Sequence, residues 1–151
     1  MIHNASIKLN LGNPKNGWVP VQLESEDFNL EFNASIVPDN PVNKLCETLI
    51  LVLNDLEAEM SWNIEPESYS FKLIPKEKEV CFSILEHSAS AKDPHLIYEL
   101  NGNLESIALP IYRSLKKFNT LELDKTDWIK IDQERLNKLT QLVRSKKTYK
   151  R

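Results

Sequence analysis

The sequence predicts an α+β fold: one antiparallel sheet of about six strands in βββ-α-βββ order, packed by one long helix, with two C-terminal helices. Three observations predict it. The first third alternates apolar and polar residues. A 3.6-residue apolar stripe follows. Alternation then returns before the last third turns helical. Strands grouped on both sides of one helix argue against a doubly wound parallel sheet, in which strand and helix would alternate.

Ile7, Leu9 and Leu11 share one face of a first strand, and residues 12–17 are a turn cluster with Gly12, Pro14 and Gly17. Val19, Val21 and Leu23 alternate against Pro20 and Gln22; after the acidic turn Glu24 to Asp27, Phe28, Leu30, Phe32 and Ala34 do the same. Short turns between such strands predict a meander with one buried face. Asn40 is placed to cap the first helix, with Pro41 at its first position, where a missing N–H costs nothing. Val42, Leu45, Cys46, Leu49, Ile50, Leu53 and Leu56 form its stripe, while Glu47, Asn54, Asp55 and Glu57 fall toward water.

Residues 61–64 read as a short strand, and Tyr69, Phe71 and Leu73, then Val80, Phe82 and Ile84, alternate around a charged turn. Leu96, Tyr98 and Leu100 mark the last strand. Leu104 to Phe118 keeps helical spacing, with Pro110 expected to kink it or shift its start toward Ser106. Asp132 caps the final helix, and Ile131 with Leu136 makes a hydrophobic staple. The basic tail 144–151 is expected to fray.

The 151 residues fit a single domain, 1–151, able to fold without disulfides or metals. The longest apolar run, Leu49 to Leu53, is far short of a membrane span. Met1 to Leu11 carries no secretory apolar core, which predicts a cytoplasmic protein with Cys46 and Cys81 as free thiols. Net charge is -3, divided as -8 over residues 1–70 and +5 over 71–151, which predicts two electrostatic faces.

Chemistry-bearing patterns are sparse. The three glycines leave no room for a Gly-rich phosphate loop. His3, His87 and His95 lack the spacing of a helical metal site, so no metal and no cofactor is expected; the group Asp93, His95 and His87 reads as a polar loop. Cys46 falls on the helix stripe and reads as an inert core thiol. Cys81 with His87 or His95, oriented by Glu86 or Asp93, is the one arrangement open to a hydrolase. Glu65 and Glu67, with Glu57 and Glu59, are weighed as paired carboxylates and read as solvated turn acids. The tail cations Lys138, Arg144, Lys146, Lys147, Lys150 and Arg151, beside Tyr149, offer a nucleic-acid alternative; they equally suit a helix C-terminal dipole on an otherwise acidic chain.

Acidic surface remains. Glu24, Glu26, Asp27 and Glu31 gather at one hairpin; Glu57 and Glu59 follow the first helix. Such a face docks a basic partner by electrostatic steering. Glu24, Glu26, Asp27, Glu57 and Glu59 are therefore the expected partner-binding residues of a non-enzymatic protein.

The segments Trp18-x-Pro20-Val21, Ala34-Ser35-x-Val37-Pro38-x-x-Pro41 and Trp62-x-Ile64-Glu65-Pro66-Glu67-x-Tyr69-x-Phe71 resemble a group of small uncharacterised bacterial proteins over about residues 18–115. In size, acidity and element order the chain also resembles the α+β immunity proteins of contact-dependent or polymorphic toxin systems. That resemblance implies a toxin, possessing a basic domain, as partner; it brings no catalytic residue with it.

Overall fold

The computed structural model describes residues 6–149, with side chains to Lys146. Strands β1 (Lys8–Leu11), β2 (Trp18–Ser25), β3 (Phe28–Ser35), β4 (Ala58–Asn63), β5 (Ser68–Lys76), β6 (Glu79–His87) and β7 (His95–Gly102) lie in sequence order in one antiparallel sheet. Helix α1 (Pro41–Leu53) separates β3 from β4; a π-helical turn (Leu104–Ala108) runs into α2 (Leu109–Phe118), and α3 (Gln133–Tyr149) closes the chain. The order is βββ-α-ββββ, seven strands where six were expected. The second set has four strands because β4, expected only as a short strand over residues 61–64, is a full strand that starts at Ala58, so that Ala58 and Met60 extend the pattern of Trp62.

The sheet is bent rather than flat. β3 and β4 pair through Ser35–Asn63 alone, whereas β2–β3 and β4–β5 pair along their whole lengths. Two arms, β1–β3 and β4–β7, thus hinge about one residue pair, and their apolar faces meet. An aromatic circuit records the closure. Phe32 contacts Trp62 (ring centroids 5.9 Å apart), Trp62 meets Phe71 (5.5 Å), Phe71 meets Phe82 (5.2 Å), Phe82 meets Tyr98 (6.3 Å) and Tyr98 stacks on Phe28 (4.4 Å). Phe28 and Phe32 share one face of β3, so the circuit begins and ends on the same strand.

α1 covers the apolar face of β4 and β5 and carries α3 on its other side. Its cap is as expected: Asn40 Oδ1 accepts the N–H groups of Val42 (3.1 Å) and Asn43 (3.4 Å), with Pro41 at the first turn. The stripe is buried from Val42 to Leu53, but Leu56 lies beyond the helix and is 53% exposed, because Asp55 turns left-handed (φ 62°) and ends the period. Glu47, expected in water, is half-buried between Lys44 (3.7 Å) and Arg135 (3.1 Å). Leu96 also departs from expectation. A register shift at Ile84/Leu85 turns it to the outer face, 48% exposed.

Pro110 acts through what it lacks. A regular helix would bond the N–H of residue 110 to the Ser106 carbonyl; proline has none. The chain answers with a π turn before α2, and Ser106 O accepts the N–H of Ile7 instead (3.0 Å), fastening β1 to the helical layer. Gly102 permits this approach, since a Cβ there would sit 2.5 Å from Ser106 Oγ. At α3, Asp132 Oδ1 accepts from Glu134 N–H (3.4 Å), and Ile131 and Leu136 are both buried. The helix continues to Tyr149, past the expected fraying at Arg144, because Leu139 and Val143 bury against the core. Residues 150 and 151, and the side chains of Lys147 and Tyr149, lie outside the described residues.

Candidate functional site

The hinge between the arms carries the most constructed surface on the molecule. Strand register places Trp18, Ser35, Asn63, Ser68 and His87 in one row across β2 to β6, on the outer face. Ser35 Oγ accepts the Val37 N–H (3.0 Å); Asn63 donates Nδ2 to the Val37 carbonyl (2.8 Å) and accepts the Glu65 N–H (3.2 Å). These bonds fix the β3–α1 loop against the outer face. Two further loops join it. Gly17 N–H donates to Asp127 O (2.8 Å), Asn16 N–H to Asp127 Oδ1 (2.9 Å) and Ile36 N–H to Gly17 O (2.8 Å). The capping Asn40 uses its second group as well, donating Nδ2 to Ile129 O (3.0 Å). Asn16 and Gly17 sit at φ 52° and 81°, so the turn depends on a residue pair that tolerates left-handed backbone.

The consequence is apolar surface held in water. Val37 is 58% exposed, Ile129 60% and Trp18 39%. Ordered loops that display apolar side chains, instead of folding them inward, are a feature of protein-contact surfaces. These loops bear Asp39, Asp124 and Asp127, and the β4–β5 turn adds Glu65 and Glu67, against Lys15, Lys125 and Lys130. Beside the row, Ser61 Oγ bonds Ser70 Oγ (3.0 Å), which bonds His87 Nε2 (2.9 Å). Ser70 is 1% exposed, so its hydroxyl is closed to a substrate, and the string of bonds stiffens the outer face. On the inner side of this end, burial first, then the Glu86 carboxylate, push the Tyr69 phenol above its usual range.

The expected acids fall in separate places. Glu24 lies on the outer face of the β1–β3 arm, where Gln22 Nε2 donates to it (2.7 Å); Glu26 and Asp27 form the exposed β2–β3 turn, Glu26 at φ 43°. Glu57 and Glu59 are exposed at the start of β4, and Glu59 lies opposite Lys72. The arms fold with their inner faces together, so these outer surfaces turn away from one another. No one flat contact takes all five. Glu65 and Glu67 lie past the far end of β4 from Glu57 and Glu59, so the four are not brought together.

The hydrolase arrangement does not assemble. Cys81 and His87 sit six residues apart on β6, about 20 Å along an extended strand. His95 is at the start of β7, opposite Glu86, equally far from Cys81. Cys46 is fully buried, and burial pushes its thiol up to about 12. Among the described residues no three of His, Cys, Asp and Glu gather as a metal site; His3 lies outside them. A cavity of about 690 Å³ lies between the end of α1 and the β5–β6 turn. Its floor is Val52, Leu53, Val80 and Leu104, and Asp55, Glu77 and Glu79 are exposed at its rim.

Val37 and Ile129 are not among the expected partner-binding residues. Their signal is faint: single apolar residues in turn-rich segments that fit neither the strand nor the helix period. No protein-family model matches this sequence, and neither does any curated protein or solved structure.

Proposed function

We propose that this chain is a non-enzymatic, cytoplasmic protein-binding protein of the immunity type, which neutralises a bacterial toxin by covering its basic domain. The observation that supports the reading is the hinge surface, where three mutually hydrogen-bonded loops keep Val37, Ile129 and Trp18 in solvent among carboxylates. Apolar groups supply desolvation energy at the centre of such a contact, and the surrounding acids favour a basic partner. The ordering entropy is already spent in the free protein, so little is lost on docking. Glu24, Glu26 and Asp27 act at longer range, drawing the partner in.

The test is co-expression with the toxic product of the adjacent open reading frame. Wild type should protect the cell and co-purify with that product. Val37→Glu combined with Ile129→Glu should fold normally, since both side chains are more than half exposed, yet lose binding by roughly a hundredfold or more. Wild-type affinity in the double variant would remove the hinge from the interface.

A further inference from the structure

A second surface has the opposite electrostatic character. Between β1 and α2 runs a groove of about 400 Å³. Lys8 lines it from β1, and Arg113 and Lys117, one helical turn apart, line it from α2. Ser6 and Ser114 add hydroxyls, and Glu105 is the one carboxylate among the described residues of its lining. Three cations against one acid is an inversion for a chain of net charge -3. Helix α2 contains Arg113, Lys116 and Lys117 but no Asp or Glu, so nothing within it relieves the i,i+4 repulsion. Lys116 is set apart by lying over the Tyr112 ring, 5.7 Å from its centroid. Among the described residues neither Arg113 nor Lys117 has a carboxylate within ion-pair distance.

The floor of the groove is a strand edge. Gly12 N–H bonds the Pro20 carbonyl, and ladder alternation then turns the N–H groups of Leu9 and Ile7 away from β2. Ser106 takes that of Ile7; by the same alternation that of Leu9, a residue lining the groove, points away from β2. A backbone donor below, a guanidinium on one wall and an ammonium on each side match a tetrahedral oxyanion.

We propose that the β1–α2 groove binds a phosphoryl dianion, either free phosphate or a compact phosphomonoester. Arg113 presents its fork to two oxygens, Lys8 and Lys117 balance the charge, and the Leu9 N–H fixes the anion against the strand edge. This site is independent of the hinge surface and stands whether or not that surface docks a toxin.

The experiment is an amide-resolved NMR titration of the full chain at constant ionic strength, with inorganic phosphate in one arm and adenosine monophosphate in the other. Saturating shifts are expected at Leu9 and Arg113, with a dissociation constant of roughly a millimolar or below. Arg113→Gln with Lys117→Gln should weaken binding by roughly tenfold or more, while Lys116→Gln leaves it unchanged. The tighter ligand identifies which form the groove takes. Non-saturating shifts, or equal binding by the double variant with its spectrum otherwise intact, would overturn the assignment.

Discussion

The inner and outer faces of this one sheet obey different rules. The inner face is closed by contacts between strands distant in the chain: Phe28 on β3 stacks on Tyr98 of β7, and Phe71 and Phe82 link them through Trp62. The outer face is held by hydrogen bonds, from Asn10 to Gln22, Gln22 to Glu24, Ser61 to Ser70 and Asn63 to Val37. Apolar burial is non-directional and strong, so the inner face sets stability. Hydrogen bonds are directional and individually worth about 1 kcal/mol net, so the outer face sets position. Recognition needs positioned groups in water, which only the second kind of face supplies.

The largest test of that division is Phe71→Ala. Phe71 is fully buried and contacts the Trp62 and Phe82 rings, so truncation should cost about 3–5 kcal/mol in urea denaturation. Its outward-pointing neighbour Lys72 should tolerate alanine within about 0.5 kcal/mol. A cost below about 1 kcal/mol for Phe71→Ala would mean that the aromatic circuit does not hold the arms together.

The next test uses pH. Cys46 faces the same core, and its thiol is raised from 9.0 to about 12 by burial. Above pH 9 the unfolded chain ionises this group and the folded chain does not, so the native state binds more protons and loses stability as pH rises toward 12. The loss should reach about 3 kcal/mol by pH 11 and vanish from the pH slope of Cys46→Ala, because the other groups titrate alike in both proteins. Equal slopes would show water reaching the α1 face of the core.

The same division explains what could be read in advance. Period-two patterns at Val19, Val21 and Leu23, or at Phe71 and Leu73, report the inner face directly, since burial is written into residue type. Asn40 and Asp132 were legible as caps because capping is local. The hinge was not. A single Ser35–Asn63 pair, a loop fixed by Asn63 and a turn tied to Asp127 are bonds between residues far apart in sequence. The bulge that exposes Leu96, and the Ile7 bond that answers Pro110, are likewise agreements between separate segments. Acidic clustering was visible, but its separation onto two arms depended on that hinge.

The smallest expected change in stability accompanies a large kinetic one. Glu26→Lys with Asp27→Lys alters an exposed turn, and lysine meets the left-handed φ of 43° at residue 26 no worse than glutamate does, so stability should move by no more than about 0.5 kcal/mol. Four units of charge change at a tip far from the proposed apolar contact. Association with the captured partner, followed by surface plasmon resonance, should slow by roughly tenfold at low salt, with dissociation little altered. The difference should fade at about 0.5 M salt, where the Debye length is shorter than the reach of the tip. A slower on-rate that persists in high salt would make the turn part of the contact itself, and an unchanged on-rate at low salt would leave the hinge to act without steering.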